Sequence, residues 1–141
     1  MSGREGNEVG RRAINDRLRP IPVPDDVTRP FWEAVRDGRL AIQRCQSCRT
    51  YYHPPVVHCY ECESRSLAFE NVSGRGTIYA FSVMRRVAEP YAIAHVTLAE
   101  GPTMLTNIVD CDFDKLSIGQ AVALVFKESE NGQPVPMFAP A

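Results

Sequence analysis

Four cysteines in two identical pairs constrain the fold of this chain more than any other feature. They form Cys45-x-x-Cys48, an interval of ten residues, and Cys59-x-x-Cys62. A CxxC turn lets two thiolates converge on one metal ion, and two such turns complete a tetrahedron. We therefore predict that these four residues bind one Zn²⁺ and hold a small ribbon together.

Four thiolates leave no coordination position for water or substrate, so we expect the zinc to be structural and not catalytic. A rubredoxin-like iron site and a thioredoxin-like dithiol are the alternatives for this spacing. His53 and His58 lie between the pairs, but the turn at Cys59 directs its neighbour His58 away. We interpret both histidines as surface or supporting residues, and the fifth cysteine, Cys111, as a small buried residue in a strand.

Composition narrows the class of protein. The chain is 44% hydrophobic and 23% charged, which is ordinary for a soluble globular protein. Sixteen Lys and Arg against seventeen Asp and Glu give a net charge of −1, so there is no general attraction to a polyanion. No stretch approaches the roughly 18 apolar residues of a membrane span, and the N-terminus lacks the apolar core of a secretory signal. We predict a cytoplasmic protein whose cysteines are metal ligands or thiols and not disulfides.

Changes in composition along the chain predict three parts. Residues 1–26 are polar and then proline-rich, and we expect a flexible arm there. Residues 27–67 are expected to hold a helix and the four-cysteine ribbon. Residues 68–141 are expected to form a β-barrel.

One short helix is predicted in the segment TRPFWEAVRDG. Thr28 can cap it, Pro30 suits the first turn and Gly38 can end it. Phe31 and Trp32 have two interpretations: they pack on their own domain, or they dock on a partner. The strand LAIQRC (40–45) follows and leads into the cysteine pairs.

Five later runs with alternating or apolar character predict short strands: TIYAFSVMRR (77–86), YAIAHVTLA (91–99), TMLTNIVDC (103–111), AVALVF (121–126) and PVPMF (134–138). The segment FDKLSIG (113–119) can form a helical turn between the third and fourth strands, where an oligonucleotide/oligosaccharide-binding (OB) barrel often has a connector. The predicted fold is mostly β, with an N-terminal helix and zinc ribbon followed by a five-stranded OB-fold barrel.

The first barrel strand carries two further expectations. Strict alternation would place Tyr79, Phe81 and Val83 on one side. Gly74 and Gly76 before it suit a bulge or a sharp start to the strand.

The usual catalytic motifs GxSxG, HExxH, GxGxxG and the P-loop do not occur. His95 in YAIAHVTL is either a satisfied barrel-face histidine or a substrate contact. Arg85 and Arg86 can meet the phosphates of a nucleotide or coenzyme, or they are solvated charges at a strand end. Single-stranded nucleic-acid binding stays open as an alternative function, because OB barrels stack bases on aromatic side chains.

A family resemblance rests on the paired CxxC together with five ordered segments: FWEAVRDGRLAIQRC, SGRGTIYAFSVM, YAIAHVTLAEG, SIGQAVALVF and PVPMFAP. Together they resemble the zinc-ribbon plus OB-fold family catalogued as domain of unknown function 35, over about residues 27–139. The family's metal ligands fall on the four cysteines of this chain. Its members are typically assembled with thiolase-fold enzymes, hydratases or other acyl-CoA enzymes.

The resemblance therefore implies an accessory subunit that is not catalytic by itself. It implies a thiolase-like partner, an aldolase, lyase or acyltransferase of the kind used in steroid side-chain degradation, in a heterotetramer built on the partner's dimer. In such a complex this chain would support the partner and help to receive the coenzyme A (CoA) thioester. Arg85, Arg86 and His95 are then candidate contacts to CoA or substrate, and Phe31 and Trp32 are candidate docking residues.

Overall fold

The structure is a computed structural model that describes Pro20 and residues 22–141. Most of the predicted flexible arm, namely residues 1–19 and 21, lies outside the described residues. Within the described part, helix α1 (Arg29–Arg36) is followed by eight strands and a 3₁₀ turn: β1 (Ala41–Cys45), β2 (Tyr51–Tyr52), β3 (Leu67–Asn71), β4 (Arg75–Met84), β5 (Tyr91–Leu98), β6 (Thr103–Ile108), the 3₁₀ turn (Phe113–Lys115), β7 (Ala121–Glu128) and β8 (Pro134–Pro140). The predicted fold class, mostly β with one helix, is confirmed.

The helix begins and ends close to where the sequence predicts. Pro30 lies in its first turn. Gly38 lies two residues after its last residue, Arg36, with φ of 81°, and donates its amide to the Val35 carbonyl at 2.9 Å. The predicted cap at Thr28 is correct in position, but its side chain makes no capping hydrogen bond. The Asp25 carboxylate instead accepts the Thr28 amide at 2.8 Å, so an aspartate three residues earlier closes this turn.

The ribbon is a three-stranded antiparallel sheet in the order β2-β1-β3. Its central strand β1 ends at Cys45. The buried Gln43 on β1 holds the long segment between the cysteine pairs, because its amide donates to the Val56 carbonyl at 3.0 Å and accepts the Val56 amide at 2.7 Å. One side chain therefore satisfies two backbone groups that would otherwise lie unpaired beneath the loop.

The other five strands close a barrel in the order β4-β5-β6-β8-β7. Neighbouring strands are antiparallel except β6 and β8, which pair in parallel at Ile108 and Phe138. Closure is completed by β7 against β4, where Val122 lies opposite Gly76. This is the connectivity of an OB barrel, and the predicted five-stranded barrel is confirmed.

A bulge in β4 corrects the predicted alternation. The register with β5 shifts between Ile78 and Ala80, so the extra residue Tyr79 is directed outward and is 68% exposed. Phe81 and Val83 pack against the core. Placing all three aromatic and aliphatic side chains on one side was wrong, because a bulge reverses the sides that follow it.

The bulge also lies beyond the two glycines that were expected to form it. Gly74 gives the strand its sharp start, with φ of 80°. Gly76 serves a different purpose: a Cβ there would lie 2.7 Å from the Thr97 carbonyl oxygen on β5. The glycine permits the close approach of two strands and does not itself bend the chain.

Helix α1 packs between the ribbon and the barrel. Phe31 and Val35 on α1 share one buried cluster with Ile42 of the ribbon and with Ile78 and Phe138 of the barrel. No helix among the described residues is long and apolar enough to cross a membrane. The continuous core fixes the position of the metal-binding ribbon relative to the barrel.

Candidate functional site

Each CxxC pair lies in a turn closed by the same backbone hydrogen bond. The amide of Arg49 donates to the carbonyl of Cys45 at 2.9 Å, and that of Glu63 donates to the carbonyl of Cys59 at 2.9 Å. Arg49 and Glu63 have φ of 69° and 63°, in the left-handed region that side chains other than glycine disfavour. The chain reverses at these two residues, and this reversal lets both sulfurs of a pair face the same point.

The two turns bring four sulfur atoms together. The Sγ atoms of Cys45 and Cys62 are 3.6 Å apart, and those of Cys48 and Cys59 are 3.5 Å apart. All four Sγ atoms lie within 4.8 Å of one another. Four sulfurs bound at about 2.3 Å to one zinc ion would be separated by about 3.8 Å. The donor set and its spacing therefore fit one tetrahedral metal ion.

Backbone and hydroxyl groups donate hydrogen bonds toward these sulfurs. The amide of Cys48 lies 3.5 Å from Cys45 Sγ, and the amide of Cys62 lies 3.4 Å from Cys59 Sγ. The hydroxyl of Tyr52 is 3.2 Å from Cys59 Sγ. Such donors stabilise thiolates and orient them toward the metal ion.

The electrostatics of Cys59 favour its thiolate form. Burial by itself raises its pKa, but hydrogen bonds from the Tyr52 hydroxyl and from the amides of Cys62 and Glu61 outweigh burial and lower the pKa to about 6. The pKa of Cys45 is also lowered, first by the hydrogen bond from the Cys48 amide. Since the thiolate is the form of cysteine that binds a metal ion, the lowered pKa values favour these two sulfurs as ligands.

The arrangement allows a structural role and leaves no position for catalysis at the metal. Cys45 and Cys59 are buried, and Cys48 and Cys62 are exposed. Four thiolates complete the coordination of zinc, so water and substrate have no free position on it. The ion would cross-link β1 to the loop before β3 and stabilise the ribbon.

Sequence reasoning did not single out Tyr52. Its hydroxyl lies near Cys59 Sγ and also accepts the Tyr60 amide at 2.9 Å. Burial and the hydrogen bond to the thiol act together, and the hydrogen bond to Cys59 is the first cause of its raised pKa. A tyrosine seven residues before a cysteine matches no motif, so only the folded ribbon reveals this contact.

The two histidines of the ribbon lie in different surroundings. His53 packs against the ring of Phe31 with centroids 5.1 Å apart, and its buried Nδ1 has no hydrogen-bond partner among residues 20 and 22–141. Burial lowers the pKa of His53. The ring of His58 stands edge-on to Tyr60 at 5.1 Å.

The predicted contacts to CoA or substrate do not converge on one point of the barrel. Arg85 follows the end of β4 and forms an ion pair with Asp114 at 2.7 Å, and Arg86 next to it is exposed. His95 is exposed in the middle of β5, opposite Ala80. Since a strand rises about 3.3 Å per residue, roughly 16 Å of strand separates Arg85 from the level of His95.

The predicted docking residues lie at a groove. Phe31 is 5% exposed and belongs to the core, while Trp32 is half-buried and meets it edge-on at 5.1 Å. Both line a cavity of about 260 Å³ between α1, the His53-Pro54-Pro55 segment and the barrel. We call this cavity the junction groove.

The junction groove has one wall that sequence reasoning missed. Leu105 on β6 lines it and is 61% exposed. Its neighbour Met104 also lines the groove, but it is 4% exposed and belongs to the buried core. In the sequence, two apolar residues in succession within an alternating strand are the signal that one of them must lie outside the core.

Fold and metal site together define a class: a rubredoxin-like zinc ribbon joined to an OB barrel. Family models agree with both halves. Residues 32–68 match the ChsH2 rubredoxin-like zinc ribbon domain, and residues 70–127 match the ChsH2 C-terminal OB-fold domain. The match to a zinc ribbon supports zinc over the iron and dithiol alternatives.

The chain belongs to the DUF35 family. It is 34% identical over 118 residues to a DUF35 domain-containing scaffold protein of Methanothermobacter thermautotrophicus, covering 71% of this chain and 89% of that protein. The family resemblance expected from the ordered segments is thereby confirmed.

Two longer relatives carry names of enzyme subunits. A probable enoyl-CoA hydratase alpha subunit of Thermomonospora curvata is 35% identical over 129 residues, which cover 88% of this chain. The 3-oxo-4,17-pregnadiene-20-carboxyl-CoA hydratase alpha subunit of Mycobacterium tuberculosis is 31% identical over 125 residues, which cover 76% of this chain. In each case the chain spans 40% of the relative's length.

Among solved structures, a chain of the Ltp2-ChsH2(DUF35) aldolase has the same fold. It superposes with a TM-score of 0.77 at 33% identity, covering 85% of this chain and 98% of that one. The likeness therefore spans nearly the whole of the solved chain, ribbon and barrel together.

Proposed function

We propose that this protein is a non-catalytic accessory subunit of an acyl-CoA enzyme. The observation that carries the proposal is the likeness to the DUF35 chain of an aldolase complex, which spans 98% of that chain. Because the match covers almost all of that DUF35 chain, the chain has few residues outside the ribbon and barrel with which to contact a partner. The same two domains are present here, and the enzyme-subunit names of the longer relatives agree with an accessory role.

The chemistry of the described residues supports a role through contact. The four-cysteine set has no open coordination position. Cys111, the cysteine outside that set, has a pKa raised by burial and by the neighbouring Asp110 and Asp112. A thiol with a raised pKa is a poor nucleophile at neutral pH, since only the thiolate attacks.

In finer detail, we propose a thiolase-fold partner that carries out an aldolase, lyase or acyltransferase reaction on CoA thioesters in the cytoplasm. A steroid side-chain substrate is favoured by the relative named for a pregnadiene carboxyl-CoA hydratase. A heterotetramer built on the partner's dimer offers two symmetric docking places. Arg85, Arg86 and His95 remain our candidates for contact with CoA or substrate, and Phe31 and Trp32 for docking.

Single-stranded nucleic-acid binding, the alternative function, finds less support. It requires aromatic side chains on a basic groove. Tyr79 is exposed, but Phe81 packs against the core and Tyr91 is half-buried. Within the part of the chain that the structure describes, the cavity on the outer face of β4, β5 and β6 is lined without lysine or arginine.

The test is recovery of the tagged full-length chain from its native cell extract, with mass spectrometry and metal analysis. We expect an acyl-CoA enzyme subunit in a near-equimolar amount and about one zinc ion per chain. Recovery of nucleic acid in place of an enzyme subunit would contradict the proposal. Turnover of an acyl-CoA thioester by the isolated chain would contradict its non-catalytic part.

A further inference from the structure

The outer surface of β4, β5 and β6 exposes apolar side chains around a shallow cavity of about 230 Å³. Phe81 and Ala94 line this cavity together with five residues that face outward: Ala80, Ser82, Ile93, His95 and Leu105. We call these five residues the barrel face. Leu105 and Ile93 are 61% and 39% exposed, although leaving such side chains in water costs about 25 cal/mol for each Å².

The barrel face continues into the junction groove. Leu105 lines both cavities, so a single side chain forms the ridge between them. On the far side of this ridge the groove is walled by Trp32, Pro54 and Pro55. The barrel, α1 and the ribbon therefore contribute to one contiguous and mainly apolar surface.

The charge of this surface indicates which kind of molecule can bind to it. Among the described residues that line the two cavities, His95 and His53 are the ionisable ones. A nucleic acid or an anionic membrane surface would require lysine or arginine to meet its phosphates. The buried centre of a protein–protein interface is depleted in charge and receives apolar anchors in pockets. The binding partner that complements this surface is therefore a protein with an uncharged contact surface.

The size of the groove limits what can enter it. Drug-sized ligands occupy pockets of about 300–1,000 Å³, whereas the junction groove holds about 260 Å³. CoA is larger than a drug-sized ligand and carries several phosphates. The groove suits a single apolar side chain presented by a folded partner.

We propose that the barrel face and the junction groove form the surface on which the acyl-CoA enzyme subunit docks, with an apolar side chain of that subunit anchored in the groove. This inference rests on the proposed function and assigns it to a place on the molecule. The partner surface that fits is apolar and uncharged at its centre. Leu105 lies at the middle of the contact.

The experiment uses the full chain and the enzyme subunit that copurifies with it from the native extract, identified and then produced in recombinant form. Its affinity is measured for the wild-type chain, for Leu105→Glu and for the matched control Ile118→Glu. Ile118 is 71% exposed and lies in the loop before β7, outside the proposed surface. We expect Leu105→Glu to weaken binding by at least about tenfold and Ile118→Glu to leave it unchanged.

Folding is checked through the zinc content and thermal unfolding of each variant, and Ile93→Glu is a second variant on the barrel face. Equal affinity of all variants for the subunit would overturn the docking surface while leaving the accessory role intact. A wild-type dimer in solution that Leu105→Glu separates would assign the surface to a second copy of this chain and also overturn it. If no acyl-CoA enzyme subunit copurifies with the wild-type chain, that result would instead contradict the proposed function itself.

Discussion

At the scale of single residues, the metal centre depends on two strained positions. Arg49 and Glu63 each follow the second cysteine of a pair and adopt positive φ. Glycine would adopt this conformation without the cost of about 1–2 kcal/mol that a Cβ imposes. The ribbon tolerates the strain because metal binding contributes far more to its stability.

Glu63→Gly should therefore stabilise the ribbon by about 1 kcal/mol. The matched control is Glu61→Gly in the same turn, where φ is not positive and added backbone freedom should cost about 0.5–1 kcal/mol. Thermal unfolding of the zinc-loaded proteins measures both. Equal destabilisation by the two substitutions would show that the turn at Glu63 is not strained.

Removal of one thiolate should abolish the centre. We expect Cys59→Ser to lower zinc affinity by more than about 100-fold and to unfold the ribbon, because no other group completes the tetrahedron. Cys111→Ser, outside the cluster, should keep one zinc ion per chain. Metal content and circular dichroism distinguish the two, and full zinc occupancy in Cys59→Ser would contradict the four-ligand site.

Acid sensitivity should follow from His53. Burial lowers its pKa in the folded protein, so below the unfolded value of about 6.5 the unfolded chain binds more protons. The stability that the neutral ring supports is present above that value and is lost as pH falls toward the folded pKa, by up to about 1.4 kcal/mol per pH unit.

His53→Gln should accordingly lose less stability than the wild type between pH 7 and 5.5. The comparison variant is His95→Gln, which removes an imidazole from the exposed barrel surface. Denaturant unfolding at several pH values gives the free energy of unfolding of each protein. Zinc release at low pH affects all three proteins alike, so it cancels when each variant is compared with the wild type. Parallel curves for the wild type and His53→Gln would contradict the account.

At the scale of elements, Gly76 allows two strands to approach closely and does not serve to bend β4. Gly76 lies where β4 and β5 approach so closely that a Cβ would meet the Thr97 carbonyl oxygen and Val96 Cγ1, both at 2.7 Å. Backbone atoms cannot rotate away as a side chain can. Glycine at this position lets the barrel close without this overlap.

We expect Gly76→Ala to destabilise the protein by about 1–3 kcal/mol through overpacking. Gly38→Ala is the comparison, since it has open space around the new Cβ but a φ of 81°, and it should cost only about 1 kcal/mol. Chemical denaturation gives both values. A smaller effect at Gly76 than at Gly38 would show that the strands can separate without loss.

The sequence predicts most elements because their signals are local. The cysteine spacing defines the ribbon, and the alternation of β5 and β6 survives folding unchanged. The bulge at Tyr79 and the purpose of Gly76 were not predictable, since both depend on how β4 meets β5. The contact of Tyr52 with Cys59 and the ridge at Leu105 likewise exist only once distant segments pack together.

At the scale of the whole molecule, α1 connects the metal-stabilised ribbon to the barrel. The buried Gln133 on the turn before β8 accepts a hydrogen bond from Arg36 and donates to the Trp32 carbonyl at 3.4 Å. This contact holds the helix beside the barrel, and the helix forms one wall of the junction groove through Phe31 and Trp32. The proposed docking surface therefore depends on the packing of all three parts.

The central claim, that this chain acts by supporting an acyl-CoA enzyme, is tested most directly by turnover in a reconstituted system. The enzyme subunit that copurifies with the chain is assayed on its acyl-CoA thioester alone, with the zinc-loaded chain, and with the Leu105→Glu variant, beside the chain alone. We predict full activity only with the wild-type chain and none from the chain alone. Unchanged activity of the enzyme without the chain would contradict the account.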